Sequence, residues 1–354
     1  MGFVGSPRES PKSQAGILLK ITFSGKGWGH LVKIDHKFNV ISPEDLFRRM
    51  NEGTDFYLID TLTHDHFEKV HLPHAKNACV FEVTFMAHIK EITRNRNAEI
   101  ILYGSSAKSM DAIKAAEKLN REGYIQISIL NGGLESWRAS GFALEGNAPL
   151  DPDDPETTLT LENGVYKVDT NQSLIEWIGR NPNNKHFGTV GISNGDLTVK
   201  DGLLSGYFEV DLNSLENINL EGDKLHPVLI AHLKSDDFLF VKNFPKASFT
   251  IENSRPAKDP VLSSPNHEVT GTLSLRGVEV EQTFSATITR PAEGGLVAQA
   301  QFDLDRTRWG MIYGSARFFE HLGMHLVFDM IYIQIRIIAY LAPEEIEPSV
   351  KESG

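Results

Sequence analysis

Two periods of hydrophobic and polar residues divide the chain. From Ile41 to Gly146, segments with apolar residues three and four apart alternate with short, wholly apolar runs. "SPEDLFRRMNEG" predicts a helix: Ser42 stands at an N-cap position, Pro43 at the first helical position, and acids in the first turn. "FYLID" (Phe56 to Asp60), "IILY" (Ile100 to Tyr103) and "IQISIL" (Ile125 to Leu130) predict strands. Between the last two, Ile113, Ala116 and Leu119 mark one face of a helix that Gly123 stops. Strands separated by helices imply an α/β fold with a parallel sheet.

After Gly164 the period falls to two. In "LLSGYFEVDLNSL", Leu204, Gly206, Phe208, Val210 and Leu212 alternate with exposed partners, and in "MIYIQIRIIAY" Ile331, Ile333, Ile335 and Ile337 form one face. "KASFTIEN", "HEVTGTLSL", "TFSATITR" and "LVAQAQFDLD" behave alike. Many such strands joined by glycine- and proline-rich turns imply an all-β antiparallel sandwich or barrel. Between the two regions, Gly146 to Thr158 holds three prolines and a run of acids with almost nothing apolar, which reads as a linker.

A chain of 354 residues, at about 150 per domain, agrees with two domains. The net charge of -12, without a concentrated basic face, argues against a nucleic-acid partner. No run approaches the roughly 20 apolar residues of a membrane span. Cys79 is the single cysteine, which excludes an intramolecular disulfide and a cysteine-rich metal site and fits a reducing, cytoplasmic compartment. "AGILLKITF" (Ala15 to Phe23) is interrupted by Lys20 and lacks a secretory pattern, while "MGFVGS" matches the myristoylation signal only at the level of chance.

"LIDTLTHDHFEKVHLPHAKNA", "IILYGSS", "AAEKLNREGY" and "ILNGGLESWRASGFAL" resemble, in order and spacing, the signatures of the rhodanese-like (sulfurtransferase) family. That resemblance implies a loop after "IILY" built to carry a nucleophilic cysteine. Sulfur transfer needs a thiolate to hold the persulfide, stabilised by backbone N–H groups and a helix N-terminus. Here Gly104 occupies the position directly after Tyr103, Ser109 the position of a second cysteine in a longer-loop variant, and no cysteine follows Cys79. The family's aspartate-x-arginine is also broken, because Leu62 stands two residues after Asp60. An inactive module is expected. Its degenerate loop, Gly104, Ser105, Ser106, Lys108 and Ser109, either survives as a structural turn or recognises an anion or a protein partner. The serines cannot replace the thiol without an adjacent base.

"GVYKVDTNQSLIEWIGRN", "HLKSDDFLFVKNFPKASFTI", "VTGTLSLRGVEVEQTFSATI" and "DLDRTRWGMIYG" resemble the YceI-like family over Gly164 to Leu341. The resemblance implies a lipocalin-like barrel that binds a long apolar molecule, a polyisoprenoid or fatty-acyl compound. A barrel of about eight strands either fills with side chains or holds one ligand. Its expected wall is Trp177, Phe187, Phe208, Phe238, Phe249, Met311 and Ile333, with His232, Arg306 or Arg308 meeting a polar head at the mouth. His226, His232, His321 and His325 come without an HExxH-type carboxylate motif, so neither a metal nor another cofactor is expected. Analogy with the family adds a homodimer.

The expected layout is an extension over residues 1–40, a rhodanese-like domain over 41–146, a linker over 147–163, a barrel over 164–342 and a tail. Three functions compete: a lipid binder or carrier, an enzyme with residual anion-handling or isoprenoid-related activity, and an interaction scaffold with a filled barrel. The linker composition generates the first prediction. Limited proteolysis should cut first between residues 147 and 163, releasing fragments of about 150 and about 200 residues. Protection of that stretch would mean that the two domains pack as one unit.

Overall fold

The computed structural model describes residues 38–150, 161–258, 263–290 and 294–343. "MGFVGS", "AGILLKITF", most of the expected linker and nearly all of the tail lie outside them. The chain divides into two compact units near residue 153.

The first unit runs β1 (Asn39–Ile41), α1 (Pro43–Asn51), β2 (Tyr57–Asp60), α2 (His64–Lys69), β3 (Lys76–Asn77), α3 (Phe85–Ile92), β4 (Glu99–Tyr103), α4 (Asp111–Arg121), β5 (Gln126–Leu130) and α5 (Gly133–Ala139). Its five strands form one sheet in the order β1-β5-β4-β2-β3, with every neighbour parallel. Strand alternation distributes β4 between two cores. Ile100 and Leu102 pack with α3 and α4 on one face, whereas Ile101 and Tyr103 pack with Leu46, Leu134 and Trp137 on the other. Ser42 caps α1 through its hydroxyl, with Pro43 at the first position, as the sequence predicts. Two details differ. The buried stripe of α4 is Ala112, Ala115, Ala116 and Leu119, leaving Ile113 only half-buried, and Ile125 precedes β5 as an exposed residue.

Among its described residues, the second unit is all-β apart from α6 (His226–Lys234) and two 3₁₀ turns. Its strands are β6 (Gly164–Val168), β7 (Leu174–Arg180), β8 (Lys185–Lys200), β9 (Leu203–Asn217), β10 (Lys246–Pro256), β11 (His267–Leu275), β12 (Val278–Thr289), β13 (Leu296–Asp305) and β14 (Met330–Leu341). All pairings are antiparallel, and β13 pairs β14 while β14 and β8 both pair β6 and β7, so the sheet closes on itself. The nine strands fill eight positions, because β6 and β7 share one. The sixteen-residue β8 spans both: Lys185 to Gly191 pair with β7, and Asp196 to Val199 pair with β6. Where β14 passes from β7 to β6, Ile338 pairs with Val297 of β13 on one side and with neither β7 nor β6 on the other. The buried Ser173 hydroxyl accepts from its amide at 2.9 Å, and the Asp169 amide donates to its carbonyl at 2.8 Å. An unpaired backbone group there would cost as much as a lost hydrogen bond.

Among the described residues of the first unit, two carboxyls are buried, Asp60 and Asp111. Asp60 is fully buried at the end of β2, where its Oδ1 accepts from the Leu62 amide at 2.7 Å. Its Oδ2 has no partner in hydrogen-bonding geometry, so the Tyr103 hydroxyl beside it offsets only part of the desolvation. Burial pushes the Asp60 carboxyl up from 3.8 to about 6, against the pull of Tyr103, the Leu62 amide, His66 and His71. The folded state therefore holds this proton more tightly than the unfolded chain. Stability from Asp60 is complete below pH 4 and falls as pH rises through 6, by about 3 kcal/mol at neutrality. Asp60→Asn should stabilise the first unit at pH 7.5 relative to its effect at pH 4 by about 2–3 kcal/mol. Hydrogen exchange of the β2 and β4 amides reads this locally; an identical effect at both pH values would refute it.

Candidate functional site

The barrel encloses a cavity of about 160 Å³. Its wall is built from inward positions of β7 to β14 (Ile175, Trp177, Val190, Phe208, Val210, Leu212, Leu215, Ala247, Phe249, Leu273, Leu275, Gln282, Phe284, Phe302, Leu304, Ile331, Ile333 and Ile335), together with Leu233 of α6, Phe238, Leu239 and Met311. Among the described residues Gln282 is the one lining side chain with an amide, and none is charged. Four phenylalanines run across one side of the wall. Phe208 meets Phe249 at 5.7 Å between ring centroids, Phe249 meets Phe284 at 5.4 Å, and Phe284 stacks on Phe302 at 4.5 Å. Phe249 on β10 reaches Phe284 on β12 across β11 because Gly271 stands between. A Cβ there would approach the Phe249 ring to 2.8 Å and the Thr250 carbonyl oxygen to 2.2 Å.

Six of the ten expected ligand-contact residues line this cavity: Trp177, Phe208, Phe238, Phe249, Met311 and Ile333. Phe187 does not. The register of β8 slips between Ile192 and Asn194, so Gly188, Val190 and Ile192 face inward before the bulge and Gly195, Leu197 and Val199 after it. A single added residue transfers every later side chain to the other face. Phe187 precedes the bulge and packs under the Lys185 ammonium instead.

Arg306 also stands apart from the lining. Only 1% exposed, it donates to the carbonyls of Met311, Tyr313 (2.7 Å), Val327 (3.1 Å) and Phe328 (3.1 Å), and its guanidinium lies 5.7 Å from the centre of the Phe238 ring. Burial lowers its affinity for the proton, while Asp329 and Asp305 raise it. With four of its five N–H groups on carbonyls, the guanidinium shapes the loop. Arg308 is exposed over Trp309 and donates to the Glu281 carbonyl at 3.2 Å. His232 is held by Asp237 at 3.0 Å and meets Phe238 and Tyr313 edge-on, so it supports the wall from behind. His321 is nearly fully exposed and His325 meets the Tyr313 hydroxyl at 3.3 Å. Among the described residues, no three His, Cys, Asp or Glu cluster as metal ligands, and no helix is long and apolar enough to cross a membrane.

The sequence reading omitted Phe284 and Phe302 although both obey the period of two, and omitted α6. That helix is weakly legible because none of its residues is fully buried.

In the first unit the loop after β4 is closed from within. The Asp111 carboxyl, at the start of α4, accepts from the Ser105 amide at 3.0 Å. A Cβ on Gly104 would lie 2.7 Å from Asp111 Oδ2. The place a nucleophile would take is therefore filled by a carboxyl. Two more loop amides are engaged locally, Lys108 by the Ser106 hydroxyl (3.2 Å) and Ser109 by the Ser106 carbonyl (3.2 Å). On the other side, Gly132 and Gly133 adopt positive φ and bring the start of α5 onto the loop, where Leu134 and Glu135 donate to the Gly104 and Ser105 carbonyls at 2.9 Å each. Cys79 is buried elsewhere in the unit.

Comparison with known families agrees with this division. The rhodanese-like domain model matches residues 42–140, and the YceI-like domain model matches residues 166–339. The chain thus joins a rhodanese-like domain to a YceI-like domain. Among solved structures, BcnA of Burkholderia cenocepacia is 17% identical over 48% of this chain and 98% of its own, with a TM-score of 0.38. A polyisoprenoid-binding domain of Saccharophagus degradans is 12% identical over 50% and 98%, with a TM-score of 0.35. The rhodanese-like domain of the Anabaena Alr3790 protein is 23% identical over 34% and 92%, with a TM-score of 0.27. No curated protein matches the chain.

The loop geometry generates a prediction. Gly104→Cys must displace Asp111 and would set a thiolate against its carboxyl, which disfavours the thiolate. That variant should alkylate slowly with iodoacetamide at pH 7, whereas Gly104→Cys with Asp111→Ala should alkylate at least several times faster. Equal rates would show that Asp111 does not control the loop.

Proposed function

We propose that the barrel binds and carries an apolar molecule of prenyl or fatty-acyl type, and that the rhodanese-like domain is inactive in sulfur transfer and serves recognition of a protein partner. The cavity carries the first part of this reading: a space inside the barrel walled by aliphatic and aromatic side chains and one amide, without a charge. Dry apolar cavities of about 150 Å³ take a molecule the size of benzene. The volume here therefore suits one ring or a short stretch of chain. A longer chain requires the wall to open, and α6 is the element best suited to move, since it supplies Leu233 to the lining yet buries none of its residues fully. Burying each CH₂ contributes about 0.8 kcal/mol, so three isoprene units, about 12 kcal/mol gross, reach micromolar affinity after about 4 kcal/mol of immobilisation cost.

The second part rests on Gly104 at the nucleophile position and on the absence of any later cysteine. Thiosulfate:cyanide turnover should equal the buffer rate and remain there in Cys79→Ser. For the barrel, solvent extraction of purified protein followed by mass spectrometry should release a prenyl or fatty-acyl compound. Ala247→Phe, which fills the cavity, should abolish that yield, and the outward Glu209→Gln should preserve it. Protein that neither retains nor takes up such compounds would overturn the reading.

A further inference from the structure

Trp177 stands on β7 opposite Gly188 of β8 and Ile333 of β14, and its side chain forms part of the cavity wall. Its indole Nε1 is buried and has no hydrogen-bond partner. Buried tryptophans ordinarily satisfy this donor. The two other tryptophans of the described residues do so: Trp137 donates to the Ala143 carbonyl at 2.9 Å, and Trp309 to the Leu273 carbonyl at 3.1 Å. At the cavity the rule fails. The one lining amide side chain, Gln282, gives its nitrogen to the Glu281 carbonyl at 2.7 Å, and its oxygen does not meet the indole. The neighbouring wall residues are aliphatic or aromatic and hold no acceptor for an indole N–H.

We infer that the barrel's ligand is a neutral apolar molecule bearing a hydrogen-bond acceptor within its buried part, a ketone, ester, amide or quinone oxygen, and that Trp177 Nε1–H is the donor that recognises it. This deepens the reading of the barrel as an apolar carrier and rests on it. The cavity places two constraints on the acceptor. It is neutral, because no cation lines the wall and the nearby Arg306 already gives four of its five N–H groups to backbone carbonyls. It is also seated among apolar groups, where an unpaired donor is costly and a matched one gains more than in water. A pure hydrocarbon chain fills the same space and leaves the indole N–H unsatisfied. A phosphate or carboxylate seated there would lose its hydration without a counter-charge.

The test uses the full chain and displacement of a bound fluorescent fatty-acyl probe. Three competitors are compared: geranylacetone, the hydrocarbon in which a methylene replaces its carbonyl, and geranyl phosphate. The wild type should bind the ketone about tenfold more tightly than the hydrocarbon, and the phosphate weakest of all. Trp177→Phe keeps an aromatic ring in the wall and should erase the ketone's advantage while leaving the hydrocarbon unchanged. In the wild type, the Trp177 indole N–H proton resonance should move downfield with the ketone and stay in place with the hydrocarbon, a readout independent of whether the variant folds. Equal binding of ketone and hydrocarbon, or an indole resonance indifferent to the carbonyl, would overturn the assignment of Trp177 while the apolar carrier stands. Failure of all three competitors to displace the probe in a protein that also yields no extract would overturn the carrier reading, and this inference with it.

Discussion

A sheet can enclose an apolar space only if it has no edge, and β8 is the strand that satisfies this condition here. It pairs with β9 along its length on one side and divides the other side between β7 and β6. Its bulges at Thr189/Gly191 and Ile192/Asn194 turn one long strand from the first partner to the second. Gly188 permits the turn, since a Cβ there would meet the Glu216 carbonyl oxygen at 1.9 Å. Ser173 fills the matching gap on β14. With closure achieved, backbone polar groups are consumed in the wall and the interior is left to side chains.

What those side chains build is a space from which charge is excluded by prior engagement. The loop between β13 and β14 winds around Arg306, whose guanidinium collects four carbonyls and faces the Phe238 ring. Asp305 and Asp329 are held in turn by Arg317 at 2.7 and 3.0 Å. These charges thus face one another, although Asp329 Oδ1 meets Arg306 only as an ion pair at 3.6 Å, and the lining that remains is apolar with one unpaired indole donor. An uncompensated buried polar group is uncommon in native proteins and costs free energy, which makes the exception at Trp177 informative about ligand chemistry.

The rhodanese-like domain shows a parallel economy. A glycine pair, Gly132 and Gly133, ties the start of α5 to its loop. A carboxyl from α4 occupies the space beside Gly104 and takes the Ser105 amide. One strand away, Asp60 is followed at the second position by Leu62 rather than arginine, and its carboxyl is buried with one oxygen unpaired.

Local chemistry determined much of this protein. The cap at Ser42, the apolar run of β4 and the period of two from Leu204 to Leu212 are properties of neighbouring residues, and each appears where the sequence predicts it. The family signatures add the order of elements in both domains. The sequence could not reveal the bulge in β8, because one extra residue in a pairing is defined only by the strand opposite; Phe187 therefore reads as inward and is not. Nor could it show that Arg306 is engaged by four carbonyls of a loop that begins five residues later, or that Asp111 reaches back to fill the space at Gly104. Partnership between distant groups depends on which segments the closed barrel and the doubly covered sheet bring within hydrogen-bonding reach. That proximity is a property of the tertiary structure alone.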